Sequence, residues 1–96
     1  MILGVDIGNT TIYFGVIQDG EVKRTFRIST EKNKTCDEYV LKLKNLLLEN
    51  LEIKYLDGVI ISSVVPEITL EIEKAIFKIT GKEIKIVKRD VKYSFK

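Results

Sequence analysis

Histidine and tryptophan are absent from the 96-residue sequence, and cysteine and proline occur once each. Each absence removes a class of chemistry. Without histidine, no serine or cysteine has the usual partner base of nucleophilic catalysis, and a zinc site built on imidazole is excluded. The lone Cys36 permits no intrachain disulfide, in keeping with a reducing compartment, and no multi-cysteine metal site. No basic segment precedes a long apolar core at the start, where Asp6 stands, so a signal peptide is not expected. No apolar stretch approaches the ~20 residues of a membrane-spanning helix. The dinucleotide fingerprint G-x-G-x-x-G and the glycine-rich P-loop ending in Lys-Ser or Lys-Thr are both missing. A formal net charge of +2 gives little to attract nucleic acid or an anionic membrane.

What is present reads as one small globular domain, with 45% hydrophobic and 31% charged residues. Residues 2–7 (ILGVDI) form a short β-branched apolar run, expected as a buried strand. Residues 11–17 (TIYFGVI) form a second, joined to the first as an antiparallel hairpin. Asp19-Gly20 is a strong two-residue hairpin turn leading to a third strand at 21–29. In that strand Val22, Phe26 and Ile28 are expected on one face with Arg24, and Lys23, Thr25 and Arg27 on the other, as at a half-exposed edge. Thr35 and Glu38 then fit a capping box opening a helix to about Asn50, with Tyr39, Val40, Leu43, Leu46 and Leu47 as its buried stripe.

Asp57-Gly58 introduces a fourth strand at 58–64, and Pro66 suits the first turn of a second helix. Ile68, Ile72, Ala75, Ile76 and Ile79 repeat at helical spacing, Gly81 is the expected stop, and 83–88 make a fifth strand. The order β-β-β-α-β-α-β calls for an α/β fold with a mixed five-stranded sheet, strands four and five running parallel to the first, and flanking helices. Residues 89–96, with Arg89 and Lys92 continuing a basic tail from Lys88, have no regular assignment.

The chemistry concentrates in DIGNTT, residues 6–11, where a carboxylate closes an apolar strand and small residues follow. A nucleoside triphosphate needs close donors for its terminal phosphates and Mg²⁺ for its charge. A tight turn supplies backbone amides, Gly8 lets the backbone approach, and Thr10 and Thr11 add hydroxyls. Asp6 can hold the magnesium directly or through water. Strand parity puts Ile2, Gly4 and Asp6 on one face, so Gly4 leaves space beside the carboxylate. The competing reading is an Asx turn or strand-end cap satisfied by its own neighbours.

DIGNTTIYFGVI resembles the first phosphate-binding motif of the acetate and sugar kinase, heat-shock chaperone and actin superfamily, whose lobe is RNase H-like (actin-like ATPase). More narrowly, the chain resembles the type III pantothenate kinases. The likeness continues through RISTEKNKTCDEY (27–39) and DGVIISSVVPEITLEIEKAI (57–76) in the same order and spacing. The resemblance implies a cytoplasmic homodimer that transfers the γ-phosphate of ATP to pantothenate, the first step of coenzyme A biosynthesis. Its expected cofactors are Mg²⁺ and a monovalent cation, K⁺ or NH₄⁺. It also implies a nucleotide-binding segment of Asp6, Ile7, Gly8, Asn9, Thr10, Thr11, Ile12 and Tyr13, with Asp6 as the magnesium residue. Neither nucleic acid nor a membrane is an expected partner.

One departure matters. The family's glycine-alanine-aspartate-arginine segment, which carries the general base and a pantothenate-binding arginine, has no match here and would follow Lys96. The expectation is therefore an N-terminal lobe over 1–88, the start of a connection over 89–96, no catalytic base within the chain, and no kinase activity by the 96 residues alone. The alternatives are an RNase H-like or resolvase-type nuclease and a non-catalytic ATP-binding lobe. Two-metal nuclease chemistry needs several converging carboxylates, and the IISSVV tract of the fourth strand supplies none. Ser62 and Ser63 end that strand where open α/β sheets place ligands, or simply let the second helix start close to the sheet. Cys36 reads as a filler in the first helical turn.

Overall fold

In the computed structural model residues 1–88 are described. The chain runs β1 (Ile2–Ile7), β2 (Thr11–Gln18), β3 (Glu21–Ser29), α1 (Cys36–Asn50), a 3₁₀ turn (Ile53–Tyr55), β4 (Gly58–Ser63), α2 (Pro66–Thr80) and β5 (Ile84–Lys88). The five strands form one sheet in the order β3-β2-β1-β4-β5. β1 pairs antiparallel with β2 and parallel with β4, β2 antiparallel with β3, and β4 parallel with β5. The expected connection at 89–96, and the basic tail beyond Lys88, lie outside the described residues.

Both helices lie on one face of the sheet. That face carries Leu3, Val5 and Ile7 of β1, Ile12, Phe14 and Val16 of β2, and Val59 and Ile61 of β4, all buried. Tyr39, Leu43 and Leu47 descend from α1 at fourfold spacing, and Ile68, Ile72, Ala75 and Ile76 from α2, to close the core. Full burial of such side chains stabilises by about 1.5–3 kcal/mol each relative to exposure. Phe14 and Phe26 stack across β2 and β3 with centroids 4.9 Å apart, extending the core toward the edge strand. The opposite face has no helix among the described residues, and Gly4, Asp6, Tyr13, Gly15 and Ser62 lie on it.

The helix ends follow their local chemistry. Thr35 Oγ1 accepts from the Glu38 amide at 3.3 Å and Glu38 Oε1 accepts from the Thr35 amide at 2.9 Å, completing the capping box. The free amide of Cys36 donates to Glu71 Oε1 of α2 at 2.9 Å, so an anion from the neighbouring helix meets the positive end of α1. Pro66 opens α2, and Gly81, left-handed at φ 66°, closes it with its amide on the Phe77 carbonyl at 2.8 Å.

One face assignment needs correction. The β2–β3 register shifts between Val16 and Ile17, with Val16 opposite Arg24 and Ile17 opposite Val22, which leaves Lys23 as the extra residue of a bulge. Simple alternation puts Val22 beside Phe26. The bulge moves it to the helix-free face instead, where its Cγ1 lies over Gly15, 3.6 Å from where a Cβ would stand there. The turn before it is the tight hairpin expected of Asp19-Gly20, with φ 54° and 76°.

Candidate functional site

The site is built where β1 ends. β1 lies between an antiparallel and a parallel neighbour, so the C-terminal ends of β1 and β4 meet the start of β2 at one rim of the sheet. Crevices at the carboxyl ends of strands where the connectivity reverses are the usual ligand positions of open α/β sheets. Asp6 stands at this rim on the helix-free face, 2% exposed. Directly opposite it are Tyr13 on β2 and Ser62 on β4; Arg27 on β3 stands opposite Tyr13 and Val87 on β5 opposite Ser62. One transverse row thus reads Arg27, Tyr13, Asp6, Ser62, Val87, with Arg27 two strands from Asp6, roughly 10 Å at about 4.8 Å per strand. Arg27 is exposed and makes no ion pair with a described residue.

Beyond Asp6 the chain turns through residues 8–11. The Gly8 amide donates to the Thr11 carbonyl at 3.0 Å, and a Cβ at position 8 would lie 3.0 Å from that same carbonyl oxygen. Glycine is needed here because the turn's own backbone comes so close. Its amide is committed inside the turn. Asn9 and Thr10 are exposed at the tip, and their amides donate to no described residue. The bend is therefore open, not sealed beneath side chains. Its carbonyls are held from the other side: Thr30, just after β3, donates its hydroxyl to the Gly8 carbonyl at 2.8 Å and its amide to the Thr10 carbonyl at 2.9 Å.

Of the residues singled out in the sequence, Asp6, Gly8, Asn9, Thr10, Thr11 and Tyr13 gather at this rim. Ile7 and Ile12 face each other at the mouth of the hairpin with side chains wholly in the helix-side core, so whatever they offer a ligand is backbone. Ser62 and Ser63 separate by parity. Ser62 joins the Asp6 row, whereas Ser63 turns to the helices, where its Oγ accepts from the Val65 amide and lies 2.9 Å from the Thr69 hydroxyl. Ser63 thus braces the short link between β4 and α2. Arg27 and Thr30, both within the 27–39 segment, join the rim although the sequence assigns neither a role at the site. Arg27 follows from the β2–β3 register opposite Tyr13, whereas the Thr30 contacts with the turn carry no local sequence signal.

As for a cation, Asp6 offers a hard carboxylate oxygen beside an exposed turn. That donor suits Mg²⁺, which commonly takes one or two carboxylates and completes its shell with phosphate and water. Among the described residues no three of His, Cys, Asp and Glu converge as a protein-only metal cage.

Over 91% of its length this chain superposes on a candidate N-acetylmannosamine kinase from Listeria monocytogenes with a TM-score of 0.61 at 19% identity, over 34% of that protein. It superposes on RuvC from Thermus thermophilus with a TM-score of 0.57 at 19% identity, again over 91% of this chain and 60% of RuvC. These likenesses establish the fold, an RNase H-like mixed five-stranded sheet with two helices. In sequence, the chain is 36% identical over 93 residues to the type III pantothenate kinase of Moorella thermoacetica, covering 96% of this chain and 37% of that enzyme. The sequence model of the type III pantothenate kinases matches residues 2–96, and the chain belongs to that family.

Proposed function

We propose that this chain is the N-terminal lobe of a kinase that transfers the γ-phosphate of ATP to pantothenate, opening coenzyme A biosynthesis. The observation that carries the reading is the meeting, at one sheet rim, of a buried carboxylate and an exposed turn whose Asn9 and Thr10 amides donate to no described residue. Phosphoryl transfer asks a protein mainly for positioning and charge stabilisation. Asn9 and Thr10 would offer backbone donors to the terminal phosphates, Thr10 and Thr11 their hydroxyls, and Arg27 a positive charge along the same row. Asp6 would hold Mg²⁺, which would neutralise charge on the phosphates. A monovalent cation, K⁺ or NH₄⁺, a homodimeric state and a cytoplasmic location complete the reading.

Residues 89–96 would begin the connection to a second part that carries the base and the pantothenate-binding arginine. The length relation to the curated relative, 37% of it, supports that division. No helix among the described residues is long and apolar enough to cross a membrane. The nuclease alternative is weakened at a specific position. The β4 residue beside Asp6 is Ser62, where two-metal hydrolysis would use another carboxylate.

The test compares two purified polypeptides, the 96 residues alone and the same lobe joined to a complete second part. The longer protein should release ADP only when pantothenate is present, and the 96-residue chain should release none. Turnover by the short chain would refute the two-lobe division. ATP binding by the longer protein without turnover would favour the non-catalytic lobe, and metal-dependent DNA cleavage would favour the nuclease.

A further inference from the structure

The turn at residues 8–11 does not hold its shape alone. Thr30 grips it by two carbonyls, Gly8 O at 2.8 Å through its hydroxyl and Thr10 O at 2.9 Å through its amide. A trans peptide is planar, with C=O and N–H on opposite sides. Fixing the Gly8 carbonyl therefore fixes the Asn9 amide facing away from Thr30, and fixing the Thr10 carbonyl does the same for the Thr11 amide. Thr30 is in turn anchored from below. The next residue, Glu31, is clasped by the fully buried Tyr39 of α1, whose hydroxyl donates to the Glu31 carbonyl at 2.7 Å and accepts from the Glu31 amide at 3.2 Å. The Glu31 carboxylate pairs with Lys34 at 2.9 Å and with Lys42 of α1 at 3.0 Å. A continuous strut runs from the core helix through Tyr39, Glu31 and Thr30 to the turn.

We propose that Thr30, braced by Tyr39, is a positioning residue that sets the orientation of the Gly8–Asn9 peptide in the phosphate turn, so that the exposed Asn9 amide faces a nucleotide. The inference rests on the kinase reading for what the turn receives, but the strut itself has a readout independent of activity. Without the hydroxyl bond the Gly8–Asn9 peptide is free to rotate, and the donor is lost to the ligand without loss of the core. The tyrosine hydroxyl makes both its contacts to the backbone of a single loop residue.

The experiment uses the full-length kinase carrying Thr30→Val, Thr30→Ser or Tyr39→Phe. Three quantities are read: amide exchange at Gly8 and Thr30 without nucleotide, the Kd of a non-hydrolysable ATP analogue, and the KM for pantothenate. Thr30→Val keeps shape and removes the donor. It should speed exchange at both amides and weaken the analogue about five- to tenfold, the scale of one net hydrogen bond, with the pantothenate KM unchanged. Thr30→Ser should restore wild-type values, and Tyr39→Phe should reproduce the valine pattern from beneath the loop. Wild-type exchange in Thr30→Val, or Thr30→Ser as damaging as Thr30→Val, would overturn the strut. If Thr30→Val does not fold, Tyr39→Phe with unchanged exchange overturns it equally. A wild-type protein that binds no nucleotide would overturn the kinase reading instead, with the exchange data still deciding the strut.

Discussion

Asp6 is a buried acid in the central strand, on the face the helices leave uncovered. Asparagine matches it in size and removes the charge. On the proposed kinase reading, Asp6→Asn in the lobe joined to a complete second part should lower turnover about 10²-fold or more, because charge stabilisation through a magnesium held by Asp6 would amount to several kcal/mol. Steady-state rates across a magnesium titration would check it, and an undiminished rate at ordinary magnesium would exclude a magnesium role. Gly8 makes a different claim. An added methyl would press on the Thr11 carbonyl oxygen, a backbone atom that moves only if the turn opens. Gly8→Ala should weaken ATP-analogue binding severalfold while costing roughly 1 kcal/mol of stability, as titration beside a thermal melt would read.

How far single residues could be read from the sequence depended on whether their meaning was local. Asp6 and the small residues after it announce a turn and a charge by type and order alone. Gly8 was recognisable as a close-approach glycine, yet the group it approaches is its own Thr11 carbonyl, a fact of turn geometry. Thr30 stands 22 residues from the Gly8 carbonyl it holds, and no spacing rule links the two. Val22 was misplaced because alternation assumes an unbroken ladder, and the bulge at Lys23 breaks it.

At the scale of elements, the helices and strands followed from patterns that act over a few residues: apolar spacing, the capping box, Pro66 and Gly81. The 3₁₀ turn Ile53–Tyr55 has no such pattern, and its Ile53 is only partly buried against the core. The capping box also predicts a pH response. The Thr35 amide, and after it the Thr35 hydroxyl, hold the Glu38 carboxyl below its ordinary value of 4.5. Hydrogen bonds from Lys34 and Lys42 lower that of Glu31. Carboxyls depressed by folding add stability that is complete above their unfolded pKa and fades as pH falls through the folded one. Unfolding stability should therefore decline on acidification below about pH 4.5, and Glu38→Gln should flatten part of that slope in denaturant titrations. Thr35→Ala should cost about 1 kcal/mol near neutrality by removing the cap on the Glu38 amide.

Across the whole molecule, three strands come from adjacent stretches, whereas β4 reaches β1 only after the long passage through α1. The hairpins are local and quick to form, and the parallel pairing must wait for loop closure. Meanwhile the edge of β1 that β4 later covers stays bare. Because β1 is apolar on nearly its full length, a nascent chain halted before residue 58 would expose a sticky ribbon to its neighbours. Expressed as residues 1–57, the polypeptide should sediment in aggregates, while 1–88 should stay dispersed at the same concentration. The central placement that shelters Asp6 in the finished fold thus makes synthesis itself a hazard, relieved only when the fourth strand emerges from the ribosome.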